Sequence, residues 1–239
     1  METNRYIGLF DILGFKQLVQ FNQLERLADA FTIFRRKVHA CALVPHIWGE
    51  ASLISHVVFS DTILVYSHDD SPTALDQIFV FCQTLIAMLF DSGLPIRGAL
   101  TTGSTFIRDD IFIGAPIVQA YQMEQTQEWV GCWVQDACLR SLSPESPILT
   151  RRFVVRYDIP TKSGVAADAW AINWSPLVLL RGGPTDVDRE LRSRFFEGFP
   201  SETASRAAPP DVERKIQNTI SFLKAMWLHS TQTKVAECA

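Results

Sequence analysis

The sequence has no excess of basic residues: its 22 lysines and arginines are outnumbered by 26 aspartates and glutamates, which gives a formal charge of −4. A chain without an overall positive field is a poor partner for duplex nucleic acid, although a local basic cleft for one small anion is still allowed. We therefore expect no nucleic-acid partner.

Long apolar stretches are also missing. No segment approaches the roughly 20 uninterrupted apolar residues that span a bilayer. The first ten residues, METNRYIGLF, lack the apolar centre of a signal peptide and lead directly into a predicted core strand. We therefore expect a cytoplasmic protein with no membrane partner.

The usual motifs for zinc binding and for covalent catalysis are absent as well. The five cysteines include no CxxC pair, and the five histidines form no HExxH motif. The GxSxG motif of a serine nucleophile is missing too. We interpret the cysteines as reduced thiols, mostly in the core.

What the sequence does contain is enough apolar material, 47% of its residues, for one large domain or a domain with an extension. Its patterns predict a strand over 6–12, a long amphipathic helix over 16–44, a tight hairpin formed by HVVF and TILVYS, a helix over 72–91 and a strand in LPIRGALTTG. Ser71 and Pro72 are typical of a helix start, and Gly93 of a position just past a helix end.

The order β-α-β-β-α-β is that of the ferredoxin-like fold, an α+β arrangement in which an antiparallel sheet of order 4-1-3-2 carries both helices on one face. Beyond it we predict a hairpin strand over 105–113, a helix over 115–127 and a short strand in EWVGCWV. We treat 1–239 as one domain, with a core at about 5–135 and an extension at about 140–239 packed on it.

In that extension, FVVRYDIP and AWAINW are predicted to pair on either side of the turn-rich KSGVAAD, followed by the breaker RGGPTD. The segment GFPSETASRAAPP has the composition of a flexible connection. A final helix carries one apolar stripe, formed by Val212, Ile216, Ile220, Leu223, Met226 and Trp227. We interpret the stripe as core packing; the alternative is a docking face for a second chain.

One stretch of the first strand, LFDILGF, places a carboxylate among apolar residues. In a 4-1-3-2 sheet, the end of strand 1 lies beside the beginnings of strands 3 and 4, about 4.8 Å away on either side. Asp11, Asp61 and Arg97 should therefore converge at one sheet edge. Taken singly, Asp11 fits a helix cap, Asp61 a turn and Arg97 a solvated charge.

Their convergence favours a metal site. Two carboxylates repel each other and one arginine neutralises only one of them, whereas a bridging divalent cation resolves the conflict. Magnesium suits an all-oxygen site that takes further ligands from phosphates. Gly14 allows a tight turn, so we expect the backbone N–H groups of residues 12 to 15 to point toward an anion.

These residues carry a resemblance. FDILGF, then FSDTILVY, then PIRGALTTG are similar to the class III nucleotide cyclase catalytic domain, whose fold contains this βαββαβ core. The likeness covers about residues 5–135. The compact form, the IRGAL segment and the late YDIP and INW segments most resemble the pyrimidine nucleotide cyclases of bacterial Pycsar anti-phage systems.

The resemblance implies roles for the residues at this edge. Asp11 and Asp61 match the two metal-binding aspartates, the carbonyl of Ile12 is a further ligand, and Arg97 matches the arginine that holds the triphosphate. Two Mg²⁺ or Mn²⁺ ions per site are implied. The substrate-binding positions implied by the turn and by the base and ribose contacts are Ile12, Leu13, Gly14, Phe15, Val57, Ile111, Gln119 and Gln122.

The chain departs from the purine-specific pattern at two base contacts. Val57 stands where a lysine reads the purine, and Ile111 where an aspartate does, although Asp110 is only one position away. Neither aliphatic side chain can hydrogen-bond an adenine edge, which argues against ATP. UTP is therefore favoured as substrate and CTP is the next choice.

A second departure lies in the helix GAPIVQAYQME. The asparagine and arginine that position the ribose and stabilise the transition state elsewhere become Val118 and Gln122 here. Losing such a cation costs several orders of magnitude in rate. Either Gln119, Gln122 or Arg108 replaces it, or the chain is slow or inactive; simple core packing of this helix is the alternative.

Two further implications concern partners. Class III sites form between two chains, so a homodimer with active sites at the interface is implied. A Pycsar product, here cyclic UMP or cyclic CMP, is read by a separate effector in antiviral defence. The alternatives are an inactive nucleotide-binding regulatory module and a purine (adenylate) cyclase.

Overall fold

The computed structural model describes residues 2–21, 24–47, 50–178, 187–195 and 209–237. In chain order the elements are β1 (Glu2–Ile12), α1 (Phe15–Phe21), α2 (Leu24–Ala42), α3 (Val44–Ile47), β2 (Ile54–Phe59), β3 (Thr62–Ser67), α4 (Pro72–Phe90), β4 (Ile96–Arg108), β5 (Ile111–Ile113), α5 (Ala115–Thr126), β6 (Gly131–Val134), α6 (Pro147–Thr150), β7 (Val154–Thr161), β8 (Gly164–Ile172), α7 (Val187–Arg194) and α8 (Pro210–Glu237).

One sheet runs through these elements in the order β2-β3-β1-β4-β6-β8-β7, with β5 paired to β4 beside this path. The pairs β2·β3, β1·β3 and β1·β4 are antiparallel, so the predicted 4-1-3-2 arrangement is confirmed. Strand β6 joins β4 in parallel, and β8 and β7 follow in antiparallel pairing. The strands of the C-terminal half therefore continue the sheet of the N-terminal half.

Helices α2 and α4 pack on the same face of the sheet, as predicted, and enclose the larger hydrophobic core. The start of α4 is capped by Ser71, whose side chain accepts a hydrogen bond from the N–H of Ala74 at 3.2 Å. Gly93 follows its end with a φ of 68°. By length and composition α4 alone among the described helices could cross a membrane, but 72% of its apolar window is buried inside the protein, as in the core helix of a soluble protein.

The predicted single helix over 16–44 is wrong in its extent. The structure has α1 and α2 on either side of residues 22 and 23, which lie outside the described residues, and α2 ends at Ala42. Pro45 follows shortly after that end, and a proline ring and the missing N–H exclude continuation of a helix through it. The N–H of Leu43 bonds to the carbonyl of Ala40 at 3.1 Å and closes the last turn.

Helix α5 lies on the opposite face of the sheet from α2 and α4. Its Ala120, with the partly buried Ile117 and Met123, covers Leu9 of β1 and Ala99 of β4. The other side of the helix is open, since Val118 is 56% and Tyr121 is 54% exposed. The alternative that this helix only packs against the core therefore accounts for one side of the helix and not for the other.

Two boundaries near the middle of the chain differ from the predictions. Strand β4 continues to Arg108 and turns through Asp109 and Asp110 into β5, so 105–113 is not a single strand. Only Lys162 and Ser163 form the turn between β7 and β8; the rest of the predicted turn belongs to β8, with a bulge opposite Tyr157 and Ile159.

The apolar stripe of α8 is core packing, as interpreted. Ile216, Ile220, Leu223 and Met226 are buried, and Val212 and Trp227 pack against the same core. Phe222, which the stripe did not include, lies 4.8 Å from Trp129 between ring centres. The breaker at 181–186 and nearly all of the predicted flexible connection lie outside the described residues.

The cysteines follow the sequence interpretation. Cys41, Cys82, Cys132 and Cys138 are free and buried, and Cys238 lies outside the described residues. Burial raises the pKa of Cys41 and of Cys138 to about 12, so these thiols stay protonated.

Candidate active site

The site is built where β1 ends, between β3 and β4. The β2–β3 hairpin turns through Ser60 and Asp61, and Phe59 pairs with Thr62 to close it. The N–H of Ile12 bonds to the carbonyl of Asp61 at 3.2 Å, which ties the hairpin turn to the end of β1.

Asp11 occupies the centre of this edge. It pairs with Thr62 of β3 on one side and with Arg97 of β4 on the other. Its Oδ2 atom lies 3.8 Å from Nη2 of Arg97, and the Asp61 carboxylate is near enough to raise the pKa of Asp11. The structure thus brings together the three residues that the strand order predicted at one edge.

The carboxylates crowd each other. Burial raises the pKa of Asp11 to about 7, the negative charges of Glu124 and Asp61 add to the rise, and Arg97 lowers it. With three carboxylates and one guanidinium ionised, the cluster has a net charge of −2. An additional cation would therefore stabilise it.

The alternative explanation of Arg97 as a solvated surface charge is wrong, because only 8% of its side chain is exposed. Its Nε donates to Oε1 of Glu124 at 2.5 Å, and its Nη1 donates to the carbonyl of Gln127 at 2.9 Å. Sequence reasoning missed Glu124 as a site residue. The signal was its spacing, since Ile117, Ala120 and Glu124 share one face of a helix whose apolar positions predict the buried side.

The segment after Gln127 is held in turn by the last helix. Asn218 donates its side-chain amide to the carbonyl of Glu128 at 2.7 Å. The N–H of Val130 donates to Oγ1 of Thr219 at 2.9 Å. Helix α8 thus fixes the chain directly beyond the carbonyl that holds Arg97.

The turn after β1 differs from the expectation that four N–H groups face an anion. The N–H of Ile12 is used by Asp61, and that of Leu13 donates to the carbonyl of Pro95 at 2.9 Å. These two bonds close the turn onto the sheet, so the expectation is wrong for both residues and remains a prediction for Gly14 and Phe15. Gly14 has a φ of 82°, a conformation that favours glycine, as the tight turn requires.

The predicted base and ribose positions lie away from Asp11 in the same chain. Ile111 pairs with Arg108 at the far end of β4, eleven residues from Arg97, or about 36 Å along a strand. Arg108 itself is exposed and pairs with Asp109 at 3.6 Å. Arg108 therefore cannot replace a missing cation in its own chain.

Within the described residues, no hydrogen bond or ion pair joins the other three predicted positions to Asp11. Gln119 accepts a hydrogen bond from Gln135 at 3.2 Å, near the middle of β4. Gln122 lies on the exposed side of α5. Val57 pairs with Leu64 on the edge strand β2, in the same row of the sheet as Leu9 and two rows from Asp11.

The donor set at this edge fits a hard divalent cation. Two carboxylates and a main-chain carbonyl offer only oxygen, which suits Mg²⁺ or Mn²⁺ with its remaining positions filled by water or phosphate. Among the described residues, no group of three or more His, Cys, Asp or Glu side chains is arranged to hold a metal ion.

Solved structures resemble this fold. The guanylate cyclase domain of RhGC from Catenaria anguillulae, in complex with GTP, matches 72% of this chain and 97% of its own with a TM-score of 0.53 at 14% identity. The adenylyl cyclase CyaB from P. aeruginosa matches 72% of this chain and 95% of its own with a TM-score of 0.51 at 15% identity. The chain has the fold of a nucleotide cyclase catalytic domain.

A further solved cyclase domain is dimeric. The guanylyl cyclase domain of the RhoGC fusion protein from the aquatic fungus Blastocladiella emersonii, described as a dimer of non-standard arrangement, matches 72% of this chain and 95% of its own with a TM-score of 0.54 at 14% identity. No protein-family model and no curated protein matches the chain.

Proposed function

We propose that this protein is a nucleotide cyclase that converts a nucleoside triphosphate into a 3′,5′-cyclic nucleotide and pyrophosphate. The observation that carries the proposal is the cluster of Asp11, Asp61 and Arg97 at one sheet edge of a cyclase-type fold. In the reaction, the ribose 3′-oxygen bonds to the α-phosphorus, its proton is released, and the bond to pyrophosphate breaks.

In this proposal Asp11, Asp61 and the carbonyl of Ile12 hold two Mg²⁺ or Mn²⁺ ions. Bound ions of this kind lower the pKa of the attacking hydroxyl and neutralise phosphate charge. Arg97 binds the triphosphate through Nη2, the nitrogen that faces Asp11. The backbone N–H groups of Gly14 and Phe15 donate further hydrogen bonds to the triphosphate.

We infer a pyrimidine substrate, UTP before CTP. The inference is supported by Val57 and Ile111, whose aliphatic side chains offer no hydrogen bond to a purine edge. A purine cyclase is the second candidate, because the similar solved domains are guanylyl and adenylyl cyclases and one of them holds GTP.

We infer that the active form is a homodimer with the site at the interface. Of the positions expected to touch base and ribose, Ile111 lies far from Asp11 within one chain, and Gln122 lies on the exposed side of α5. The exposed Val118 and Tyr121 on the same helix form an apolar surface that a second copy would cover. Phe59, next to the hairpin turn that contains Asp61, is 79% exposed as well.

The cellular role belongs to the same proposal. The likeness of IRGAL, YDIP and INW to Pycsar cyclases supports a cytoplasmic enzyme of antiviral defence whose product activates a separate effector. The competing role is an inactive nucleotide-binding module, which the replacement of the transition-state residues by Val118 and Gln122 would favour.

The test is incubation of the purified chain with each of the four common nucleoside triphosphates and Mn²⁺, followed by mass spectrometry. We expect a cyclic pyrimidine nucleotide that disappears in Asp61→Asn and persists in the matched control Asp29→Asn, whose carboxylate is exposed on α2. A cyclic purine product would select the second candidate. If no cyclic product forms from any triphosphate, the cyclase proposal is rejected and the inactive nucleotide-binding module is favoured.

A further inference from the structure

Glu124 is a charged side chain with no exposed surface, near the end of α5. Oε1 accepts from Nε of Arg97 at 2.5 Å and Oε2 accepts from the side-chain amide of Gln125 at 2.8 Å. Both oxygens therefore have partners, and the pair with Arg97 is almost completely removed from water.

Arg97 is held on two of its three nitrogens. Nε is bound to Glu124 and Nη1 to the carbonyl of Gln127. Gln127 is itself fixed, because its side-chain amide donates to the carbonyl of Gly98 at 2.8 Å and its side-chain oxygen accepts from Trp129 at 2.9 Å. A planar guanidinium fixed at two nitrogens has one orientation, in which Nη2 lies 3.8 Å from Asp11.

Stability does not explain this arrangement well. Two apolar side chains of similar volume usually stabilise a fold as much as a buried ion pair, or more, because both ions lose their hydration. The ion pair does provide an arginine whose remaining nitrogen is already oriented toward the neighbouring carboxylates. A side chain that is ordered in advance loses less entropy when it binds an anion.

We propose that Glu124 is a positioning residue that holds Arg97 with Nη2 turned toward Asp11, ready to bind the phosphates of a metal-bound nucleoside triphosphate. This inference rests on the proposed function for the identity of the ligand. It assigns to α5 a task separate from base or ribose contact, since Glu124 acts through Arg97 and touches no substrate.

The test compares Glu124→Gln with the control Glu213→Gln. Both replace a glutamate that accepts from an arginine by its amide, but Glu213 pairs with Arg192 at 2.6 Å between α7 and α8, away from the site. Binding of a nonhydrolysable triphosphate analogue and of inorganic tripolyphosphate, each with Mn²⁺, is measured by calorimetry, together with KM, kcat and thermal unfolding. A folded Glu124→Gln should bind both polyphosphates at least about tenfold more weakly and show a raised KM, while Glu213→Gln binds them like the unmodified chain.

A double-mutant cycle separates positioning from packing. If Glu124 acts through Arg97, then Arg97→Lys together with Glu124→Gln binds tripolyphosphate no worse than Arg97→Lys alone. Additive losses would overturn the inference, as would unchanged affinity in a folded Glu124→Gln.

The outcomes also separate this inference from the proposed function. Weakened polyphosphate binding in Glu124→Gln, without cyclic product from any triphosphate in the unmodified chain, would support the inference and reject the cyclase. Cyclic product with unchanged affinity in Glu124→Gln would do the reverse. Failure of the unmodified chain to bind either polyphosphate would overturn both.

Discussion

Ile12 donates its backbone N–H to the carbonyl of Asp61 at 3.2 Å, although the two residues are nearly fifty positions apart in the chain. The bond joins the end of β1 to the turn of the β2–β3 hairpin. The position of the Asp61 carboxylate relative to Asp11 therefore depends on the conformation of a two-residue turn.

The first prediction concerns that turn. Ser60 has a φ of 56°, which glycine adopts freely and β-branched residues adopt only with strain. We expect Ser60→Gly to keep the fold and the activity, and Ser60→Val to lower the free energy of unfolding by about 1–3 kcal/mol and to reduce metal-dependent nucleotide binding. Urea unfolding and calorimetric titration with Mn²⁺ and nucleotide would measure the two effects. Equal stability of the two variants would contradict the assignment of strain.

The second prediction concerns Gly98, the residue after Arg97. A Cβ atom there would lie 2.2 Å from the ring of Phe10 and 2.6 Å from the carbonyl of Leu9, both closer than atoms can approach. We expect Gly98→Ala to lower the free energy of unfolding by roughly 2 kcal/mol or more. Gly8→Ala is the milder control, because its nearest contact is 3.1 Å. Thermal unfolding of both variants would rank them.

The third prediction concerns the exposed side of α5. If a second copy covers it, Tyr121→Asp should give a folded chain that elutes as a monomer and makes no cyclic nucleotide, because a charge in an apolar interface is not compensated. Val165→Asp places the same charge at a position 60% exposed on β8 and should leave the oligomeric state unchanged. Light scattering over a dilution series would decide. A monomeric unmodified chain with full activity would rule out the interfacial site.

The fourth prediction is a pH dependence far from the site. Hydrogen bonds from Arg192 lower the pKa of Glu213 from 4.5 to about 2, which joins α7 to α8. A carboxyl whose pKa is lowered by folding adds stability above its unfolded pKa, and this stability is lost as the pH falls from about 4.5 to about 2. Because the pair is partly exposed, its contribution is about 1 kcal/mol or less.

The measurement for this pair is the melting temperature of Glu213→Gln against the unmodified chain at several pH values. The difference should be largest near neutral pH and should vanish near pH 2. A difference that stays constant across this range would show that the amide acts through packing rather than through charge.

Much of the sheet was predictable because its signals are local and mutually consistent. Strand β1 reads as a buried run, Ser60 and Asp61 mark the hairpin, and Ser71 marks the start of α4. Once the order β-α-β-β-α-β is recognised, few sheet arrangements remain, and the convergence of Asp11, Asp61 and Arg97 follows from strand direction. The roles of these residues in chemistry stay predictions, as does the treatment of the chain as one domain.

What the sequence could not predict depends on contacts between distant segments. The burial of Arg97 requires Glu124 and the carbonyl of Gln127, which reach it only after α5 has crossed the sheet. The N–H of Leu13 is used by Pro95, a partner that no local pattern identifies. The side-chain spacing on α5 does predict that Glu124 lies on the buried side of the helix. It does not identify the role of this charge, because that depends on its partner Arg97.

Two hydrogen bonds link α8 to the segment that follows Gln127, one to the carbonyl of Glu128 and one from the N–H of Val130. The position of Arg97 therefore depends on the last helix of the chain. A shortened protein that stops after β8 would retain every strand of the sheet and all three residues of the proposed centre. It would nevertheless lose the hydrogen bonds that hold the backbone around Gln127, whose carbonyl orients the guanidinium of Arg97. A minimal active fragment must therefore include the final helix, even though that helix contributes no group to the reaction.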